Sequence, residues 1–187
     1  MPPTNVYTGA YGTLTIGANA DPEGNDAIAV INAYDLHTVG RVVDVTLRVD
    51  THLEEFHEVG RRHPVSLHPG NIHISGTVGR AYINGALLFL LLGRGALLRQ
   101  AREPYVQPVF NMVLRLADPA VPGTTAELGV AAVKFENWAV AMPEDDFVLE
   151  NLAFKALSIH VIDEQAPADG GQPTEITPQF PAATATQ

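Results

Sequence analysis

Five histidines fall within twenty-two residues, His52, His57, His63, His68 and His73, and they are the side chains in this chain best suited to metal chemistry. A zinc site draws two to four ligands onto one point, commonly from close pairs. Here successive histidines are 5, 6, 5 and 5 residues apart, so none of the short pairings occurs. The His-x-His with a following Glu of a cupin-type metal barrel is also absent. A polar loop that uses histidine at its surface accounts for the spacing, and a metal-binding β-barrel enzyme built on these five residues is the alternative. Nucleophilic chemistry has less to work with. Ser66, Ser75 and Ser158 are the only serines, and none sits in a Gly-x-Ser-x-Gly elbow. Gly76-x-x-Gly79 and Gly93-x-Gly95 lack the Lys-Ser/Thr that completes a phosphate loop. The carboxylate groups Glu54-Glu55-Glu58 and Glu144-Asp145-Asp146 fall in segments that read as exposed connections, where a solvated charge run is the ordinary explanation. No catalytic residue, metal ligand or cofactor is expected.

The elements that would position these residues are mostly strands. Leu14 and Ile16 alternate with threonine, and residues 21–25 form a turn. Residues 27–34 read as a further β segment with Ile28 and Val30 on one face. Val43, Val45, Leu47 and Val49 alternate with Asp44, Thr46, Arg48 and Asp50, the pattern of an antiparallel strand with one wet face. Residues 52–64 carry Glu54, Glu55, Glu58, Arg61, Arg62 and three histidines without a period, which fits a long polar loop or a protruding hairpin. Residues 67–78 return as strand, interrupted at Pro69-Gly70.

A helix follows over about residues 80–92, roughly 20 Å long at 1.5 Å per residue, with Gly93 at its end. Its stretch 86–92 has no polar side chain, and a helix apolar all round must be covered all round. One sheet covers one face, so Leu87, Leu88, Phe89, Leu91 and Leu92 are expected to divide between the core and another copy of the chain. A second apolar group, residues 96–98, precedes Arg99 and Arg102. Strand pattern resumes with Phe110, Met112, Leu114 and Leu116 on one face. Residues 130–142 read as a long strand with Lys134, Glu136 and Trp138 on one side, and residues 152–162 as another with Ala153, Leu157, Ile159 and Val161 together. The expected fold is mainly β, an antiparallel sandwich or barrel flanked by one central helix, with a long loop and extended arms. Residues 1–163 form the domain and the Pro-, Ala- and Thr-rich residues 164–187 a tail.

Composition narrows the function. With 187 residues the chain can bury one sizeable core, and 11 basic residues against 21 acidic give −10, of which residues 1–163 carry −7. That balance argues against a surface that grips nucleic acid by neutralising phosphates. It is compatible with a surface that nucleic acid must slide past. The pairs Arg61-Arg62 and Arg99/Arg102 are small and not interleaved with aromatics, and fit better against acidic loops of a neighbouring copy. There is no cysteine. The apolar run is too short to span a bilayer, so a soluble protein without membrane partners is expected.

The order of elements resembles that of the tail tube proteins of tailed phages and tailed archaeal viruses, which share a fold with the tube subunits of contractile injection systems. The matching features are Tyr7-Thr8-Gly9-Ala10-Tyr11-Gly12-Thr13-Leu14, the strand 42–50 running into a charged loop, the helix after Ser75-Gly76-Thr77, and Glu144-Asp145-Asp146-Phe147-Val148 leading into the last strand. The resemblance implies a non-enzymatic virion tail subunit assembled in the host cytoplasm. It would form hexameric rings stacked into a tube whose lumen conducts double-stranded DNA during ejection. Its partners would be copies of itself, tape-measure, tail-terminator and baseplate or tip proteins, and a sheath if the tail contracts. Asp44, Thr46, Arg48 and Asp50 become candidates for an acidic lumen face. Glu54, Glu55, Glu58, Arg61 and Arg62, with Leu87, Leu88, Leu91 and Leu92, become candidates for contacts between subunits and rings.

Overall fold

A computed structural model describes residues 6–97, 106–166 and 171–180. The chain is mainly β, an antiparallel sheet curled into a half-barrel with two helices. The strands are β1 (Gly12–Ala18), β2 (Val42–Phe56), β3 (Ser66–Ala81), β4 (Phe110–Ala117), β5 (Thr125–Ala141), β6 (Leu149–Ala156), β7 (Ser158–Gln165) and β8 (Thr174–Glu175). The helices are α1 (Gly24–Tyr34) and α2 (Ala86–Leu92). The sheet runs β1-β4-β5-β6-β3-β2, with β7 paired to β5 and β8 to β7.

β5 joins two halves. Its residues 125–133 pair with β4, and residues 125–131 also pair with β7. Residues 134–141 then pair with β6, which carries β3 and β2 beyond it. The change of partner falls at Ala132, whose φ of 53° is left-handed and whose N–H donates to Asn111 Oδ1 at 3.0 Å.

Core residues come from both halves and both helices. Leu14 and Ile16 of β1, Phe110 and Met112 of β4, and Leu152 and Phe154 of β6 are buried with Leu87 and Leu90 of α2. Phe110 and Phe135 stack with centroids 4.9 Å apart, a geometry that adds to plain area burial. Gly76 lies under the Phe154 ring, where a Cβ would collide with that ring and with the Thr46 carbonyl.

The structure corrects several expectations. Residues 24–34 are helix, not strand: Gly24, Ala27 and Ile31 are its buried residues, spaced three and four apart along one helical face. The β-branched Ile28 and Val30, which made the segment look extended, fall on different sides of it. Asp35 ends the helix at φ 50°, and its N–H and that of Leu36 both bond to Ile31 O. Helix α2 is seven residues, not thirteen, because Arg80 and Ala81 still pair with Glu150 and Leu149 of β6. β3 is continuous through Pro69-Gly70 because a bulge between Thr51 and Leu53 absorbs the irregular register. A second bulge between Phe135 and Asn137 turns Trp138 away from Lys134 and Glu136 and onto the core side with Phe135. The last pattern is two strands broken at exposed Leu157, and Leu152 and Phe154, not Ala153 and Leu157, face the core.

Candidate assembly surfaces

Leu87 is 0% exposed and Leu90 equally enclosed, while Leu88, Leu91 and Leu92 are half-buried. Leu87 therefore belongs to the chain's own core and has no surface to offer a neighbour. Part of the cover for α2 is the unexpected α1, with Tyr34 and Phe89 rings 5.8 Å apart. The N-terminus of α2 is fixed from below. Asn84 Oδ1 accepts from the Ala86 N–H at 3.2 Å, and Arg80 Nη2 donates to the Asn84 carbonyl at 3.3 Å. Arg80 Nε donates to Glu150 Oε1, and Trp138 Nε1 donates to Glu150 Oε2 at 2.7 Å. Arg80 is 1% exposed and Glu150 0%. No sequence signal marked this pair, since Arg80 read as the start of a helix and Glu150 as one acid among twenty-one.

The outer end of β2 and β3 is the most distinctive surface. β3 pairs with β6 only from Ile74 onward, so residues 51–56 and 66–72 pair with each other alone and project as a two-stranded arm. At about 3.3 Å per residue the arm is roughly 20 Å long. Its two faces differ. Val49 opposite core residue Ile74 begins one face, which continues through Thr51–Ile72, Leu53–Pro69 and Glu55–Leu67. Ile72 is 64%, Leu67 56% and Leu53 53% exposed. The other face pairs Asp50 with His73 and Glu54 with His68, with His52 between them. The apolar core surface thus continues past the body of the sheet onto an element that nothing described covers.

Glu54, Glu55, Glu58, Arg61 and Arg62 are all exposed on the arm or its turn. Glu58 and Arg61 pair at 3.4 Å, and Glu55 Oε2 lies 3.1 Å from His57 Nε2. Residues 52–56 end β2 and residues 57–65 turn the chain back, so the segment is part of a protruding hairpin, the second of the two forms expected. Among the described residues no three His, Asp or Glu side chains are placed to share a metal ion; the five histidines are strung along the arm and its base. Glu144, Asp145 and Asp146 lie exposed between β5 and β6. Arg99, Arg102 and Leu98 lie outside the described residues.

Asp44, Thr46 and Arg48 are exposed and Asp50 partly so, on the face of β2 opposite the core. Across that face Thr46 lies in a row with Thr77, Ala153 and Asn137, and Arg48 in a row with Ser75 and Lys155. Thr46 and Thr77 hydroxyls are 2.7 Å apart. Arg48 pairs with Asp50 at 2.7 Å and Lys155 with Glu136 at 2.7 Å. The surface is small, polar and internally charge-paired. Both lateral edges of this half-sheet are open: no described strand pairs the outer edge of β2 or the far edge of residues 136–141 of β5.

The curled antiparallel sheet with its two helices is a tail tube-like fold, by its likeness to solved structures. No family model and no curated protein matches the chain. Solved structures do. A chain of the cap that terminates the tube of the anti-feeding prophage superposes with a TM-score of 0.58 at 8% identity, covering 86% of this chain and 93% of that one. A chain of the sheath/tube terminator of PVC, an extracellular contractile injection system, in its extended state gives 0.56 at 10% identity, covering 86% and 97%. A chain of the PVC sheath-tube complex gives 0.55 at 10% identity, covering 86% and 91%. At such identities the likeness is one of fold.

Proposed function

We propose that this chain is a non-catalytic structural subunit of a virion tail, assembling with copies of itself into stacked hexameric rings that form a tube. The observation that carries the reading is the half-sheet β5-β6-β3-β2 with both edges open and an uncovered arm at one end. A long unpaired edge is a liability in a monomer unless it is meant to be paired. Neighbouring strands in the half-sheet alternate in direction, so β5 and β2 run oppositely. Rotation about a common axis sets β2 of one copy against β5 of the next, and the antiparallel alternation continues around the ring. Asp44, Thr46, Arg48 and Asp50 then face the lumen, and the arm reaches an adjacent subunit or ring.

The lumen face suits passage of double-stranded DNA. Asp44, Asp50 and Glu136 match Arg48, Lys134 and Lys155 in number, and each base is held by a carboxylate, Arg48 by Asp50, Lys155 by Glu136 and Lys134 by Glu23. With no free cluster of cations, phosphate binding with counterion release has little to act on. Tape-measure, terminator, baseplate and, in a contractile tail, sheath proteins would be the partners in such an assembly.

Negative-stain microscopy of the purified chain at high concentration tests the proposal. Rings or tubes with six-fold symmetry are expected. A chain that stays monomeric, with and without a tail initiator complex, rules the reading out.

A further inference from the structure

We infer that the β2–β3 arm is a pH-responsive contact with a second copy of this chain, loose at neutral pH and tightened when its histidines are protonated. The inference rests on the assembly reading above and adds a control to it. Four of the chain's seven histidines are on this one projecting element, and a fifth, His73, is at its base opposite Asp50. Between residues 50 and 73 the fixed charges are Asp50, Glu54, Glu55 and Glu58 against Arg61 and Arg62, a net −2 out of the chain's −10. The remainder of each copy therefore carries −8. At neutral pH an arm approaching a neighbour brings like charge to like. Imidazole is the side chain whose charge changes between pH 5 and 8. Protonating His52, His57, His63, His68 and His73 takes the arm from −2 to +3, so repulsion from an acidic neighbour becomes attraction.

The arm sets its histidines beside acidic and polar neighbours. His73 lies directly across from Asp50, and His68 across from Glu54. His57 is 3.1 Å from Glu55, and His68 is 3.0 Å from the Ser66 hydroxyl. Arg48 already engages Asp50 at 2.7 Å, and Arg61 engages Glu58 near His63 and Arg62. All five histidines are solvent-exposed, so proton uptake needs no opening of the fold. Opposite charges directly across a strand pair also stiffen the hairpin. A stiffer arm loses less freedom on docking.

Assembly of the full chain, followed by light scattering and sedimentation at about pH 8 and about pH 5.5, should show a critical concentration at least about tenfold lower in acid. The chain with H52Q, H57Q, H63Q, H68Q and H73Q together should lose that difference, and H37Q with H160Q should keep it. Salt separates this mechanism from simple relief of overall repulsion as the chain nears its isoelectric point. At about pH 5.5, raising salt from about 0.05 to about 0.5 M should loosen an attraction between arm and body, whereas relief of repulsion would tighten assembly. Equal critical concentrations at both pH values, an unchanged response in the five-fold variant, or tightening by salt overturns the inference while leaving assembly intact. Failure to assemble at any pH overturns the assembly reading and this inference together.

Discussion

At the scale of single residues, the least legible feature is the one that most constrains the fold. Arg80 and Glu150 are fully buried, opposite one another on β3 and β6, with Trp138 and Asn84 completing their hydrogen bonds. Removing one member of such a pair strands the other charge in the core. Arg80→Ala should therefore lower unfolding free energy by about 3–5 kcal/mol, measured by urea denaturation. Arg80→Met with Glu150→Leu should recover part of that loss, since a pair of similar apolar volume carries no unpaired charge, while the Trp138 N–H is left without its acceptor. If the double variant is as unstable as the single one, the pair holds α2 through Asn84 in a way apolar packing cannot replace. Ala132 poses the opposite case, a residue whose type does not suit its backbone. A left-handed alanine costs about 1–2 kcal/mol, and glycine's extra backbone entropy returns about half of that. Ala132→Gly should raise stability by about 0.5–1 kcal/mol; a destabilised variant would show that the Ala132 side chain packs more tightly than its partial burial implies. Neither position could be read from the sequence, because each depends on which strand lies across from it.

At the scale of elements, what was legible was periodicity where the strand stayed regular. β1 and β4 show Leu14, Ile16, Phe110 and Met112 inward as the alternation requires. The pattern failed at bulges and at composition. A bulge at Glu136 reverses every later side chain of β5, which is why Trp138 appeared on the wrong face. In α1 the β-branched residues spoke for strand, and only packing against β1 and α2 decided for helix. That missed helix also weakens the original case for α2 as an interface, since α1 supplies part of the cover that seemed to require a second copy. In the assembly proposed above, the arm takes over that role. A two-stranded hairpin is at best marginally stable alone, so the exposed Leu53, Leu67 and Ile72 call for a partner. Leu53→Glu with Ile72→Glu changes only exposed positions and should alter stability by about 0.5 kcal/mol or less per site. Buried at an interface, the same two unpaired carboxylates cost several kcal/mol. The variant should thus melt like the parent by circular dichroism yet fail to form tubes in the microscope. Normal tubes from it would remove the arm's apolar face from the contact.

At the scale of the whole molecule, the proposed ring assigns a partner to each open edge of the described half-sheet. The outer edge of β2 and the far edge of residues 136–141 belong to opposite sides of one half-sheet, and in the proposed ring they meet between copies. A head-to-tail contact of this kind either closes into a ring or runs on as a filament. The chain contains no cysteine, which allows the seam to be probed without background. Ala139 is exposed near one edge, and Thr46, Arg48 and Asp50 point to the same polar face at the other. Pairing Ala139→Cys in turn with Thr46→Cys, Arg48→Cys and Asp50→Cys samples successive registers. A disulfide forms only where Cα atoms approach within about 4.4–6.8 Å, so at most one or two registers can link. On oxidation, the linking register should give a ladder of covalent oligomers on denaturing gels that stops at six, because a closed ring has no further edge. A ladder that continues past six would favour an open helical strand over a ring. No ladder in any register would mean that β2 and β5 do not meet, and the lumen face assigned to Asp44, Thr46, Arg48 and Asp50 would fall with that seam.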